Sequence, residues 1–163
     1  MVSSGPENEW TSVVRPRGKS ALRRRLRAMR CFDWYGDRSL MVVDIALACC
    51  TLEFEAAGAY RVESADLRPE DPVAVIVSGT VTDAVLPIIQ EILGRTPGAK
   101  VISFGACASS GGPYWDSYAV TKGISQFVEV DVFVPGCPPP PQAIRDALDS
   151  LRAPAGQGVP VDG

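Results

Sequence analysis

Five cysteines, Cys31, Cys49, Cys50, Cys107 and Cys137, are the residues of this 163-residue chain best suited to chemistry. Cys49 and Cys50 are adjacent, in DIALACCTLEF. Cys107 directly follows KVISFGA, and Cys137 directly follows VDVFVPG and precedes Pro138. The chain has no histidine, which removes His-ligated zinc, a Ser-His-Asp triad and a Cys-His nucleophile. A disulfide between neighbours would close a strained ring, and this spacing suggests metal or redox use before structural disulfides. Four converging thiolates could hold a 4Fe-4S cluster. They could also hold zinc, although the CxxC knuckles usual for such zinc sites are absent, or they could be buried apolar fillers. Spacing alone leaves all three open. Cys31 lies outside the scheme and reads as a small apolar filler or ordinary thiol.

Convergence depends on the elements that carry the cysteines. SLMVVDIALA (39–48), VAVIVSG (73–79), KVISFGA (100–106) and VDVFVPG (130–136) are nearly continuous apolar runs of strand length, as expected of strands covered on both faces. Helical patterns alternate with them. TLEFEAAGAY is a short one. TDAVLPIIQEILG carries a stripe of Val85, Ile88, Ile89, Ile92 and Leu93, with Pro87 near its first turn and Gly94 as its C-cap. PPPPQAIRDALDSL opens on proline and turns Ala143, Ile144, Ala147, Leu148 and Leu151 inward. Alternation of this kind predicts an α/β fold with a mostly parallel sheet flanked by helices. Three strands then deliver cysteine at their carboxyl ends, the edge where such sheets build ligand sites. Gly105, Gly111, Gly112 and Gly136 flank Cys107 and Cys137 and let the backbone approach a sulfur-rich anion closely.

The length suits one domain. Residues 1–30 read as a polar and then basic extension, 31–152 as the α/β domain and 153–163 as a disordered tail. The net charge of −3 is uneven: residues 1–38 hold nine basic and four acidic side chains, and the rest seven and fifteen. In ALRRRLRAMR (21–30) a helix would align Leu22, Leu26 and Met29 and surround them with arginine. It would serve as a solvated helix, or lie on anionic lipid or a partner subunit. No nucleic-acid reading motif accompanies the charge, and no GxGxxG follows a strand. No apolar run reaches the roughly 18 residues of a membrane span, and no secretory signal opens the chain, so a cytoplasmic or peripheral location is expected.

LACCTLEF, VSGTVT, ISFGACASSGGPYWDSY and VDVFVPGCPPPPQAI, in that order, closely resemble the B subunit of proton-pumping NADH-quinone oxidoreductase, respiratory complex I. The resemblance spans about residues 39–151. It implies a flavodoxin-like fold, shared with the small subunit of nickel-iron hydrogenases. It implies that Cys49, Cys50, Cys107 and Cys137 hold the terminal 4Fe-4S cluster of an electron chain, which reduces quinone in a membrane-associated oxidoreductase and translocase. Such a subunit is not active alone. Implied partners are a hydrogenase-large-subunit-like subunit that completes the quinone site, a ferredoxin-like iron-sulfur subunit and membrane-arm subunits, on the cytoplasmic face of the cell membrane. Related membrane-bound hydrogenases usually have CxxC where this chain has an adjacent pair, so the pair favours the quinone branch. A hydrogenase-type small subunit and a non-redox zinc scaffold with four cysteine ligands are the alternatives.

Further roles come with the resemblance. Glu53 is either a first-turn carboxylate favoured by its helix dipole or a near-cluster group coupling protonation to reduction. Asp116 and Tyr118 either bond their loop together or handle protons on the quinone side. Thr80 and Thr82 either cap the next helix or line the pocket. Tyr114 and Trp115 are expected to pack against a partner. The family also carries an arginine near the cluster, and counting back from Gly79 puts Glu70 in its place. A cluster of unusually low potential, or a cation supplied by another chain, would follow.

Overall fold

The computed structural model describes residues 30–58, 62–63 and 67–152. The elements in chain order are β1 (Arg30–Asp33), β2 (Met41–Ala46), α1 (Cys50–Ala57), β3 (Val62–Glu63), β4 (Val73–Ser78), α2 (Leu86–Arg95), β5 (Lys100–Phe104), α3 (Ala106–Ser110), β6 (Val132–Val134) and α4 (Pro141–Arg152). They build a six-stranded sheet in the order β3-β1-β2-β4-β5-β6. β2, β4, β5 and β6 are parallel, whereas β1 runs antiparallel to both β2 and β3. The α/β architecture with a mostly parallel sheet is therefore as expected.

Side chains alternate across the sheet with the two-residue period of a strand. Val42, Ala74, Ile76, Ile102 and Phe104 face one layer, where Phe54 of α1 and Ile144 and Leu148 of α4 meet them. Met41, Val43, Ile45, Val75 and Val77 face the other, against Ile89 and Ile92 of α2 and Ala108 of α3. Helices on both faces explain why the strands read as continuous apolar runs. Burial of each large side chain contributes about 1.5–3 kcal/mol. Phe54 is fully buried and has Phe32 and Trp34 at ring-centroid distances of 5.8 and 5.6 Å. That contact seats α1, the helix that starts at the cysteine pair.

The helix ends depart from expectation in detail. The N-cap of α2 is Val85, with no side-chain cap, so neither Thr80 nor Thr82 caps this helix with its hydroxyl; the Thr82 carbonyl accepts from Val85 and Leu86 N–H at 3.0 Å each in the turn before it. Pro87 sits in the first turn, so regular helix begins late, at Leu86. Gly94 is not the C-cap. The helix runs on through Arg95 to Thr96, whose hydroxyl donates to the Ile92 carbonyl at 3.1 Å. A Cβ at Gly94 would meet nothing within 4 Å. Gly94→Ala is therefore expected to stabilise the chain by about 0.5–1 kcal/mol, read from denaturant midpoints.

The antiparallel edge formed by β1 and β3 has no counterpart in the apolar pattern of the sequence. RCFD directly follows the arginine-rich tract, and its four residues are too short for a period to register. Arg30, expected at the end of a basic helix, is instead the first strand residue, paired with Asp44. Residues 1–29 and 153–163, including the rest of that helix and the tail, lie outside the described residues.

Candidate metal centre

The strand register sets the site. Ala46, Ser78, Phe104 and Val134 lie side by side across the four parallel strands. All the cysteine loops leave the sheet just past this row. From β2 the chain goes by way of α1 to β3 at the far edge before returning to β4 on the opposite side of β2. Such a reversal opens a crevice at the carboxyl ends of the strands.

Cys49 is the N-cap of α1 and Cys50 its first residue. Their loop is tied to β4, because the Ser78 carbonyl accepts from Leu47 and Ala48 N–H at 3.1 and 3.2 Å. Cys107 lies in the first turn of α3. Its neighbours are tied to β6 and the Cys137 loop, since Gly105 N–H donates to Val134 O at 2.9 Å and Ala106 N–H to Gly136 O at 2.8 Å. The Cys137–Pro138 peptide is cis.

Glycine makes the cradle possible. Gly105 has φ +95°, and a Cβ there would stand 2.4 Å from the Cys50 sulfur. A Cβ at Gly112 would stand 2.8 Å from the Cys107 sulfur. Both sulfurs thus rest directly on main chain. All five cysteines are free thiols, so the adjacent pair is not a disulfide. Cys50 and Cys107 are buried, while Cys49 and Cys137 are exposed. The Cys50 thiol is pushed up to about 12, first by burial, then by the charge and hydrogen bond of Cys49 and the charges of Cys107 and Cys137. The three other cysteines thus lie near enough to the Cys50 sulfur to disfavour its charge. Among the described residues no three His, Cys, Asp or Glu side chains close round a single ion position. The all-thiolate set, supplied from three loops, is one that a 4Fe-4S cluster takes with one thiolate per iron and that zinc takes as well.

The other residues singled out from the sequence divide. Glu53 is half-buried in the first turn of α1. Asp116 is exposed, and Tyr118 is 99% exposed. Their loop is held by main-chain bonds such as Ser117 N–H to Tyr114 O at 2.9 Å and by the Ser117 hydroxyl accepting from Ala119 N–H at 3.3 Å. Tyr114 and Trp115 are exposed. Glu70 requires correction. It precedes the amino end of β4, whereas the cysteines follow carboxyl ends, so the strand itself, about 17 Å long at ~3.3 Å per residue, separates them. Its surroundings are Arg38 and Asp71; the guanidinium hydrogen bond from Arg38 holds the Asp71 carboxyl below its usual range. Glu70 therefore does not take the place of a cation beside the cysteines, and no lowered potential follows from it. A cavity of about 320 Å³ beside Arg68, Asp71 and Arg95 also belongs to this far end.

Two polar pairs, one buried and one part-buried, have little signal in the sequence. Ser78 donates to Asp44 at 2.9 Å, and the Ser103 and Ser109 hydroxyls lie 2.9 Å apart. The available signal is Asp44 itself, a carboxylate inside the apolar run MVVDIA. Cys31 is buried in the core as expected, and burial followed by the Asp71 charge pushes its thiol up to about 11. In metal-free protein at pH 8, iodoacetamide should label Cys49 and Cys137 first. From the shift of 9.0 to about 11, Cys31 should react about 100-fold more slowly than an ordinary thiol, read by peptide mass spectrometry.

Comparison with known proteins gives a consistent picture. The family described as "NADH ubiquinone oxidoreductase, 20 Kd subunit" matches residues 39–151. The second NADH-quinone oxidoreductase B subunit of Streptomyces griseus is 45% identical over 128 residues, covering 74% of this chain and 54% of that protein. The first such B subunit of Salinispora tropica is 47% identical over 128 residues, 74% of this chain and 68% of that protein. The corresponding B subunit of Heliobacterium modesticaldum is 39% identical over 130 residues, 75% of this chain and 74% of that protein. The chain thus spans only about half the length of the Streptomyces relative.

Proposed function

This chain belongs to the NADH ubiquinone oxidoreductase 20 Kd subunit family, and on that premise we propose that Cys49, Cys50, Cys107 and Cys137 hold one 4Fe-4S cluster, the terminal electron carrier to quinone in a membrane-associated NADH-quinone oxidoreductase. The observation that carries this reading is the geometry of the three cysteine loops: a Cβ at Gly105 would stand 2.4 Å from the Cys50 sulfur and 3.6 Å from Gly136 O, and Ala106 N–H, beside Cys107, bonds Gly136 O, beside Cys137, at 2.8 Å. When bound, the cluster supplies one-electron transfer. The chain's own residues do the rest. Gly105 and Gly112 admit the sulfurs of Cys50 and Cys107 against main chain. The buried pair Cys50 and Cys107 anchors the site, and the exposed pair Cys49 and Cys137 opens it to a neighbour.

The same edge carries exposed Leu52, Tyr114, Trp115 and Tyr118. Exposed aromatic groups of this kind suit a permanent protein interface. The partner there is the hydrogenase-large-subunit-like subunit that completes the quinone site. The ferredoxin-like iron-sulfur subunit and the membrane-arm subunits complete the assembly. The Glu53 carboxylate, the Asp116 carboxylate and the Tyr118 hydroxyl are the groups able to hold a proton near that interface. No helix among the described residues is long and apolar enough to cross a membrane, which accords with a peripheral subunit held on the cytoplasmic face by its partners. The hydrogenase-type and zinc-scaffold alternatives are not favoured: the relatives are named for NADH-quinone oxidoreductase.

Metal and sulfide analysis of the purified complex, with paramagnetic resonance during reductive titration, tests the reading. A reduced-cluster signal that disappears when any one of the four cysteines becomes serine is expected. Zinc without iron at this site would overturn it.

A further inference from the structure

Asp44 is 3% exposed, in the middle of β2. Ser78 donates to one of its oxygens at 2.9 Å, and Arg30 donates to the other at 3.2 Å. Arg30 also pairs with Glu55 of α1 and lies 5.7 Å from the centre of the Phe32 ring. Replacing both partners of such a pair by apolar groups often costs little stability, so stability alone does not account for a carboxylate in this strand. The network reaches the cysteine pair from two directions. Ser78, which bonds Asp44 through its hydroxyl, bonds Leu47 and Ala48 N–H and the Thr51 hydroxyl through its carbonyl, at 3.1, 3.2 and 3.4 Å. Glu55, which bonds Arg30, sits on the helix that starts at Cys50.

We propose that Asp44 and Arg30 form a charge-setting pair behind the Cys49–Cys50 loop, which positions that loop and tunes the potential of the redox group its cysteines hold. The pair's role rests on the cluster reading above. Asp44, Ser78 and Cys50 are all buried, so the Asp44 charge acts on the site with weak screening, whereas the Arg30 side chain is 35% exposed and its charge acts through more solvent, with the smaller effect. Reduction adds an electron to the site. The Asp44 anion opposes that addition and the Arg30 cation favours it.

Opposite signs are therefore expected. Asp44→Asn keeps the shape and the hydrogen bond from Ser78 but removes the anion, so the midpoint potential should rise. Arg30→Gln removes the cation, so the potential should fall. Asp44→Glu and Arg30→Lys conserve charge and should stay near the parent. The readout is a redox titration of the cluster signal in the purified complex, with thermal unfolding of each variant alongside. A purely structural pair would lower stability or cluster content in both neutral variants without opposite shifts, and that result, or two unchanged potentials, overturns the proposal. If Asp44→Asn fails to assemble, Arg30→Gln alone decides: a lowered potential supports the pair and an unchanged one overturns it. A parent complex without a cluster signal defeats the cluster reading itself, whereas a normal parent signal with same-sign variants defeats only the charge pair.

Discussion

Gly105→Ala is expected to empty the cysteine site, lowering iron per chain at least about tenfold. Two independent effects act at one residue. The backbone at Gly105 has φ +95° and ψ 164°, a region nearly confined to glycine, and a side chain there costs about 1–3 kcal/mol. The added methyl would also stand 2.4 Å from the Cys50 sulfur, far inside the roughly 3.5–4.0 Å of a relaxed nonbonded contact. The sulfur cannot retreat cheaply, because Cys50 is 1% exposed and shares its core with Phe54 and Phe104. Gly105 N–H also holds Val134 O, so any backbone shift there drags the Cys107 and Cys137 loops together. The melting temperature should fall by roughly 2–12 °C, at ~2–4 °C per kcal/mol for a domain this size. Gly98→Ala is the control. It shares a positive φ, +80°, but its Cβ meets nothing within 4 Å, so it should lose stability while keeping full iron content. Full iron with an unshifted resonance spectrum in Gly105→Ala would show that the cradle is not where the glycine contacts place it.

The strands and the cysteine edge are legible in the sequence because each rests on a robust signal. Continuous apolar runs mark doubly covered strands, and strand direction alone puts residues 49, 50, 107 and 137 at one edge. The glycines beside Cys107 are legible for the same reason, since close packing of sulfur on main chain leaves few alternatives to glycine. What stays hidden is local and three-dimensional. Gly94 imitates a helix stop, but nothing crowds it and the Thr96 hydroxyl closes the helix two residues later. β1 has four residues and is fixed by pairing with Met41–Asp44, partners about ten residues away. Counting along the chain matches Glu70 to a family arginine, but the same strand direction that gathers the cysteines puts Glu70 at the amino end of β4, away from the site, as the parallel register shows. Asp44 announces itself as a charge in a core strand, but its meaning depends on Ser78 and Arg30, which no spacing rule brings together.

Cys50→Ser and Cys31→Ser make the sharpest contrast among the cysteines, since both residues are buried and differ by one atom from serine. In Cys50→Ser the cluster signal should be lost, because a hydroxyl near its ordinary acidity does not replace a thiolate ligand. The effect on the metal-free fold should be smaller. The Cys50 thiol is already disfavoured as an anion, mainly by burial and then by the neighbouring sulfurs, so without metal the substitution exchanges one uncharged group for another and its cost is that of a more polar group that needs a partner. Cys31→Ser should do the reverse. Cys31 lies on β1 against Val43 in the sheet register, in the core layer of Val75, Val77 and Ile89. A hydroxyl there enters an apolar layer and should cost about 1–3 kcal/mol, with iron content and signal unchanged. Denaturant unfolding of the metal-free chains and iron analysis of the assembled complexes separate the two effects. A Cys31→Ser protein that loses its cluster signal while remaining folded would place a fifth sulfur in the redox site and break the division between ligand and filler.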